Sequence, residues 1–525
     1  MSKARFRLRP WIVVVLAVAA VLAVVAPLYV WNRGAITLRG LAENDLLSRA
    51  ELERLTVTVT TTEVDPKSLR ARVGDRSVPL ERQGAGYVVR LRDLTDGRHE
   101  LVVSGGRTEV TRRFTVDTTA PELRLRPPDG PAKLNRAVTV TGTVEEGATV
   151  RAEAGQVTRD GTALRIRYAQ PPTDAAVVVT DRAGNTATQK VTVPTRYPDA
   201  VRGVHLSGYA WSSPGNRNSA LRLVRERRIN AVQIDIKEED GIVNMAVDVP
   251  LANRIGAVVK KYDAAEMTRT LHAMGVRVIG RVVVFYDPVL ARWAWQHGRR
   301  DWVVQSAGGG PYASNYGHTA FTNLASAAVR QYNIDIAKAA VRAGVDDIVF
   351  DYIRRPEGRF TAMRFPGLRG APERAIADFC KEARRQLRPM GAYVGAALFA
   401  QAVRAPQDTA QNVRMMAEHL DVVVPMDYPN HWAPGEYGVP NPATQPGPIV
   451  QRSLADWAKA VAGTGCVVVP WLWASDVLGP YSPAMVAAQI HGARANRMPG
   501  WLMWNALAHY DKWAPAFSPD AAPVR

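Results

Sequence analysis

At 525 residues the chain is too long for one hydrophobic core, and about 150 residues per domain points to roughly three units. A hydrophobic content of 47% suits packed domains, while two cysteines, expected to be buried inert thiols, exclude a disulfide framework. The net charge of +18 (67 basic against 49 acidic side chains) is spread over both halves of the chain, with no basic tail or RNP-like motif. Nucleic acid is therefore not an expected partner; such a diffuse field suits anionic lipid or acidic wall polymers.

Lys3, Arg5, Arg7 and Arg9 precede an uncharged stretch from Trp11 to Trp31, which matches the ~20 residues a helix needs to cross a bilayer. Basic residues stay cytoplasmic, so everything after Trp31 is expected outside. The apolar stretch is longer than a cleavable signal needs, which favours an uncleaved anchor, residues 1–32. Residues 33–48 read as a linker.

From Leu55 the pattern becomes short Val/Thr-rich runs with period-2 alternation, separated by turn residues such as Asp96-Gly97 and Gly105-Gly106. That is the signature of antiparallel sandwiches. Two modules are expected, 49–118 and 119–197. The phrases FTVDTTAPEL and VTDRAGNTATQKVTV resemble bacterial immunoglobulin-like domains, which implies a spacer role.

From Tyr197 apolar strands alternate with amphipathic helices. The expected strands are 203–209, 231–237, 276–285, 347–353, 392–399, 421–428, 466–473 and 500–506. Eight strands alternating with helices over about 330 residues is the arithmetic of a (β/α)8 barrel, residues 198–525. An open doubly wound sheet is the other candidate, but no GxGxxG follows the first strand. The fold class read from sequence is thus α/β, a TIM barrel preceded by two all-β sandwiches and a transmembrane helix.

Barrel chemistry sits at the carboxyl ends of the strands. Those ends supply Asp235, Asp351 and Asp427 as candidate catalytic carboxylates. Around them, Tyr209, Trp211, Lys237, Glu238, Arg281, Asp287, Tyr352, Arg354, Tyr428, Trp473, Trp504 and Asn505 are candidates for binding substrate. Paired carboxylates beside flat aromatic rings suit hydrolysis of a glycosidic bond: one protonates the leaving oxygen, the other acts on the anomeric carbon or on water, and the rings hold sugar faces. No histidine stands at metal-ligand spacing from His205, so neither a metal nor a cofactor is expected.

Several motifs occur in order along the barrel. They are Ile234-Asp235-Ile236-Lys237; Arg281-Val282-Val283-Val284-Phe285-Tyr286-Asp287-Pro288; Phe350-Asp351-Tyr352-Ile353-Arg354-Arg355-Pro356; and Pro425-Met426-Asp427-Tyr428-Pro429. Over about residues 200–510 the chain resembles the putative glycosyl hydrolase domain family, whose pattern these are, although Arg355 takes a place that is usually apolar. A fainter likeness to chitinase-type barrels rests on Asp346, Asp351, Met426-Asp427-Tyr428 and Trp504, but Ile353 stands where their catalytic glutamate would be. The resemblance implies a polysaccharide hydrolase, with a non-catalytic carbohydrate-binding barrel as the alternative.

Overall fold

The computed structural model describes residues 35–518. The expected membrane anchor at 11–31 lies outside the described residues. Among the described residues no helix is long and apolar enough to cross a membrane.

The chain forms two compact units. The first comprises the described residues up to Asp129 together with Thr139–Tyr168 and Pro172–Thr192. It is all-β, because alternating Val, Leu and Thr give each strand one apolar face to bury. One sheet orders Ala35–Arg39, Val57–Thr62, Gly86–Val89 and Glu81–Gln83, and a second orders Asp45–Leu47, Thr108–Val116, Gly97–Gly105, Arg70–Val73 and Arg76–Val78. Ile36, Leu38, Val57, Val59, Leu101, Val103 and Phe114 share one core between them. Two further sheets follow over residues 123–191. The stretch 33–48 is not a plain linker: Ala35–Arg39 pairs antiparallel with Val57–Thr62, and Asp45–Leu47 pairs parallel with Thr108–Val116.

The second unit takes Gly130–Val138, Ala169–Pro171 and everything from Val193. The main-chain N–H of Leu134 donates to the Tyr393 hydroxyl (2.9 Å), which fastens the early segment to this unit. Eight parallel strands follow: β1 (Val201–Leu206), β2 (Ala231–Lys237), β3 (Arg277–Val283), β4 (Asp347–Asp351), β5 (Tyr393–Phe399), β6 (Val422–Met426), β7 (Val467–Val468 and Trp471–Trp473) and β8 (Gly500–Trp504). Each pairs with its sequence neighbours, β8 pairs with β1, and β5 with β6, so the sheet closes into a barrel with helices between strands. Cys380 and Cys466 are buried free thiols.

Two inward rungs cross the bore, because residues four apart on a strand share a face. Arg277 and Arg281 on β3 face Asp347 and Asp351 on β4. The rung at the amino end is sealed: Arg277 Nε donates to Asp347 (2.7 Å), which also accepts the Tyr197 hydroxyl (2.9 Å). This is a structural ion pair, and it is the standard against which the rung at the carboxyl end must be judged.

Candidate active site

The rung at the carboxyl end differs from the sealed one in how many acids it gathers. Arg281 Nε donates to Asp351 Oδ2 (2.8 Å), Nη1 to Asp235 Oδ1 (3.1 Å), and Nη2 to Glu239 Oε1 (2.6 Å) while also reaching Asp351 (2.7 Å). Three carboxylates from two strands and one loop therefore surround one guanidinium. Glu239 Oε1 and Asp351 Oδ2 share Nη2, at 2.6 and 2.7 Å. Asp235 and Asp351 are only 1% and 2% exposed, whereas the Glu239 side chain is 52% exposed. Glu239 is thus the member of the group that meets solvent most openly.

Asp235 is further held by His205 on β1, whose Nε2 lies 2.9 Å from Oδ1. Burial, then the charge of Arg281, pushes His205 down to about 3, so the ring is neutral. Burial raises Asp235 to about 6 against the pull of Arg281. Glu238, buried and facing the charge of Asp235, rises to about 8. Its Oε1 accepts from the Gly208 N–H (2.7 Å) and the Asn244 amide (2.8 Å). A Cβ at Gly208 would stand 2.2 Å from that amide, so only glycine permits this approach.

Two aromatic groups accompany the carboxylates. On one side Tyr428, Trp473 and Trp504 lie within 5.6 Å of one another, centroid to centroid, and Trp471 packs edge-on to His205. Trp504 is the half-exposed member. On the other side Tyr286, Tyr316, Phe321 and Tyr352 cluster above Arg354, whose guanidinium sits 4.7 Å from the Tyr352 ring. Tyr352 has φ of +48°, a left-handed conformation in which its N–H turns back to Asp351 Oδ1 (2.6 Å). A bulky residue held there costs of order 1–3 kcal/mol, strain typical of sites where a side chain must be aimed.

Other candidates are placed elsewhere. Lys237 and Asp287 are both 0% exposed and paired to each other (2.6 Å), with Lys237 also donating to Asn333 on the helix Ala327–Arg342. They do not line the mouth, because the register of β2 against β3 slips between Asp235 and Lys237. That irregularity sends Lys237 to the helical layer instead of inward with Asp235. Asp287 also caps the helix Pro288–Gln296 through Leu290 N–H. Asp427 does not join the other two acids: its carboxyl takes Trp432 Nε1 (3.0 Å) and Ser453 Oγ (2.7 Å), the latter on the helix Pro446–Val461. Burial raises it to about 7.

Tyr209 and Trp211 belong to a short helix, Gly208–Ser212, and not to the end of β1; Tyr209 is exposed and donates to Asp240, whereas Trp211 is buried in the core. Arg354 is buried beneath the tyrosines, bonded to Tyr316 and paired with Glu357. Asn505 ties the loops after β7 and β8 together through Ala474 and Leu507. Asp346 bonds His272 and the Val278 N–H at the amino end of the barrel, away from the carboxylate group.

Sequence reasoning missed Glu239, Tyr286, Tyr316 and Phe321 as site candidates. Glu239 follows the Asp235 motif directly, so its signal was present. Tyr316 sits in a small hairpin, Ala313–Ser314 with Gly317–His318, inside a long aperiodic loop that offers no pattern to read.

A family model described as "Putative glycosyl hydrolase domain" matches residues 203–510. No curated protein matches the sequence. Among solved structures, the chain is similar to a hypothetical protein from Ruminiclostridium thermocellum ATCC 27405, at 32% identity over 37% of this chain and 96% of that one, with a TM-score of 0.34. It is also similar to the PgaB (BpsB) glycoside hydrolase domain from Bordetella bronchiseptica (16% identity, 62% and 99% covered, TM-score 0.44). A third is the hyperthermostable endo-1,4-beta-D-mannanase from Thermotoga petrophila RKU-1 (11% identity, 62% and 97% covered, TM-score 0.40).

Proposed function

The chain belongs to the family of putative glycosyl hydrolase domains, and we propose that it is a membrane-anchored, outward-facing enzyme that hydrolyses a polysaccharide of the cell envelope. The observation that carries this reading is the single guanidinium of Arg281 holding Asp235, Asp351 and Glu239 together at the carboxyl ends of the strands. A purely structural arginine needs one carboxylate, as Arg277 has in Asp347. Gathering three acids has an energetic cost that packing alone does not repay.

In this reading Asp235 is the acid, its proton retained toward neutral pH by burial, and Asp351, which accepts from Nε and Nη2 of Arg281, is its partner carboxyl. Trp504, Trp473 and Tyr428 on one side and Tyr352, Tyr286 and Tyr316 on the other would take sugar rings at successive positions of a chain. The apolar stretch 11–31 would tether the protein, and the all-β unit, resembling immunoglobulin-like modules, would space the barrel from the membrane.

A second reading has its own support. Arg281 compensates two nearly buried acids, as expected of an inactive barrel that only binds carbohydrate. Release of new reducing ends from a panel of envelope polysaccharides separates the two: an enzyme releases them, and a binding protein retains the polymer uncut.

A further inference from the structure

The three acids on Arg281 are not equally free to meet a reacting molecule. Asp351 has both oxygens taken: Oδ2 accepts from Nε and Nη2 of Arg281, and Oδ1 from the Tyr352 N–H. It is also buried, so it is closed to bulk water. Glu239 is bonded at one oxygen alone. Its Oε1 accepts from Arg281 Nη2 (2.6 Å), Oε2 has no hydrogen-bond partner among the described residues, and half of the side chain faces solvent.

The main chain under Glu239 is fixed although its side chain is open. It follows β2 in a tight turn, closed by the Gly241 N–H to Glu238 O (3.2 Å) and the Glu238 N–H to Ile242 O (2.8 Å). Asp240 is committed to the same turn, since Oδ1 accepts from the Ile242 N–H (2.9 Å) and Oδ2 from the Tyr209 hydroxyl (3.2 Å). Gly241 has φ of +87°, and a Cβ there would meet Asp287 Oδ1 at 2.7 Å, so the turn is pressed against the buried pair behind it. The bond to Arg281 then fixes the carboxyl itself, and a group held in this way needs no reorganisation before it reacts. Beside it lies a second polar group without a partner. The Trp471 ring centre is 5.7 Å from the Arg281 guanidinium, the residue is 1% exposed, and its Nε1 has no partner among the described residues. A buried donor left open is a place for an oxygen of water or substrate.

We propose that Glu239 is a catalytic carboxylate, which takes a proton through Oε2 from the water that attacks the anomeric carbon. The inference rests on the hydrolase reading and divides the work given there to Asp351: Asp351 holds Arg281 and the Tyr352 main chain in place, and Glu239 meets the water. In the step, the water oxygen forms the new bond to the anomeric carbon while one of its protons passes to Glu239. The bond to the leaving oxygen breaks, that oxygen departs with the bonding electrons, and Asp235 supplies its proton. Glu239 then gives its proton to solvent and Asp235 regains one by exchange with solvent, which closes the cycle.

The test uses the full chain and the polysaccharide that the wild type cuts, with sodium azide as the probe. Glu239→Gln keeps an oxygen for Arg281 but cannot take a proton at neutral pH, and it should lose about 10²–10⁴-fold in kcat at nearly unchanged Tm. Glu239→Ala should lose as much and regain at least about tenfold when azide is added, because this anion attacks without giving up a proton. Its new chain ends should carry a glycosyl azide, read by mass spectrometry. Asp351→Ala should also be slow, but azide should neither speed it nor enter its products. A Glu239→Gln as fast as the wild type, or an azide gain absent from Glu239→Ala or equal in Asp351→Ala, overturns the proposal and leaves the hydrolase reading standing. Should either Glu239 variant fail to fold, the other decides on its own criterion. A wild type that cuts no polysaccharide sinks the hydrolase reading and this inference with it.

Discussion

Asp427 shows what a buried carboxyl does when it has hydrogen bonds but no cation. Trp432 and Ser453 hold it, and burial raises it to about 7, so the fold prefers it protonated. Unfolded, it titrates near ~3.9. Its contribution to stability is complete below about pH 4 and is lost as pH rises through about 7, because the folded state then binds more protons than the unfolded one. Asp427→Asn, which carries no charge at any pH, should flatten this decline: Tm measured from pH 4 to 8 should fall less in the variant than in the wild type. Parallel curves would contradict the assignment. Since Asp427 faces the helix Pro446–Val461, the same variant should retain hydrolysis. Trp504, half-exposed beside Trp473 and Tyr428, is the opposite case. Trp504→Ala should raise KM about fivefold to tenfold with little change in kcat, since a stacking surface binds ground state and transition state alike. Steady-state kinetics on the cleaved polysaccharide would check this.

At the scale of the element, β2 decides which side chains enter the bore. Its run AVQIDIK gave the strand correctly at Ala231–Lys237, yet strict alternation would have put Asp235 and Lys237 on the same face. The slip of register between them cannot be seen in a run of Ile and Val, so Lys237 was read as a mouth residue when it belongs to the helical layer. Asp427 and Tyr428 lie just past the end of β6, where Tyr428 joins the aromatic rings while Asp427 turns to Trp432 and Ser453. The Lys237–Asp287 pair predicts a stability effect and not a catalytic one. Lys237→Met leaves Asp287 buried without its cation and should cost about 3–5 kcal/mol in urea unfolding of the barrel. A loss of less than about 1 kcal/mol would show that the pair is not sealed as described.

For the whole molecule, the order of strands was legible because each barrel strand is a short apolar run between helical periodicities, and all eight appear within a few residues of their expected places. The site was legible only where a charge ends such a run, as at Asp235, Arg281 and Asp351. Long-range partners were not, since nothing local links Glu239 to Arg281, or Tyr316 to Tyr352. Boundaries also escaped: Gly130–Val138 belongs with the barrel unit, although its sequence reads as part of the preceding sheets. The most direct trial of the account is reducing-end release from an envelope-polysaccharide panel by the wild type and by Asp351→Asn, with folding checked by Tm. The account predicts release by the wild type and a loss of at least about 10³-fold in the variant at nearly unchanged Tm. A wild type that binds without cutting, or a variant that cuts as fast, would contradict it.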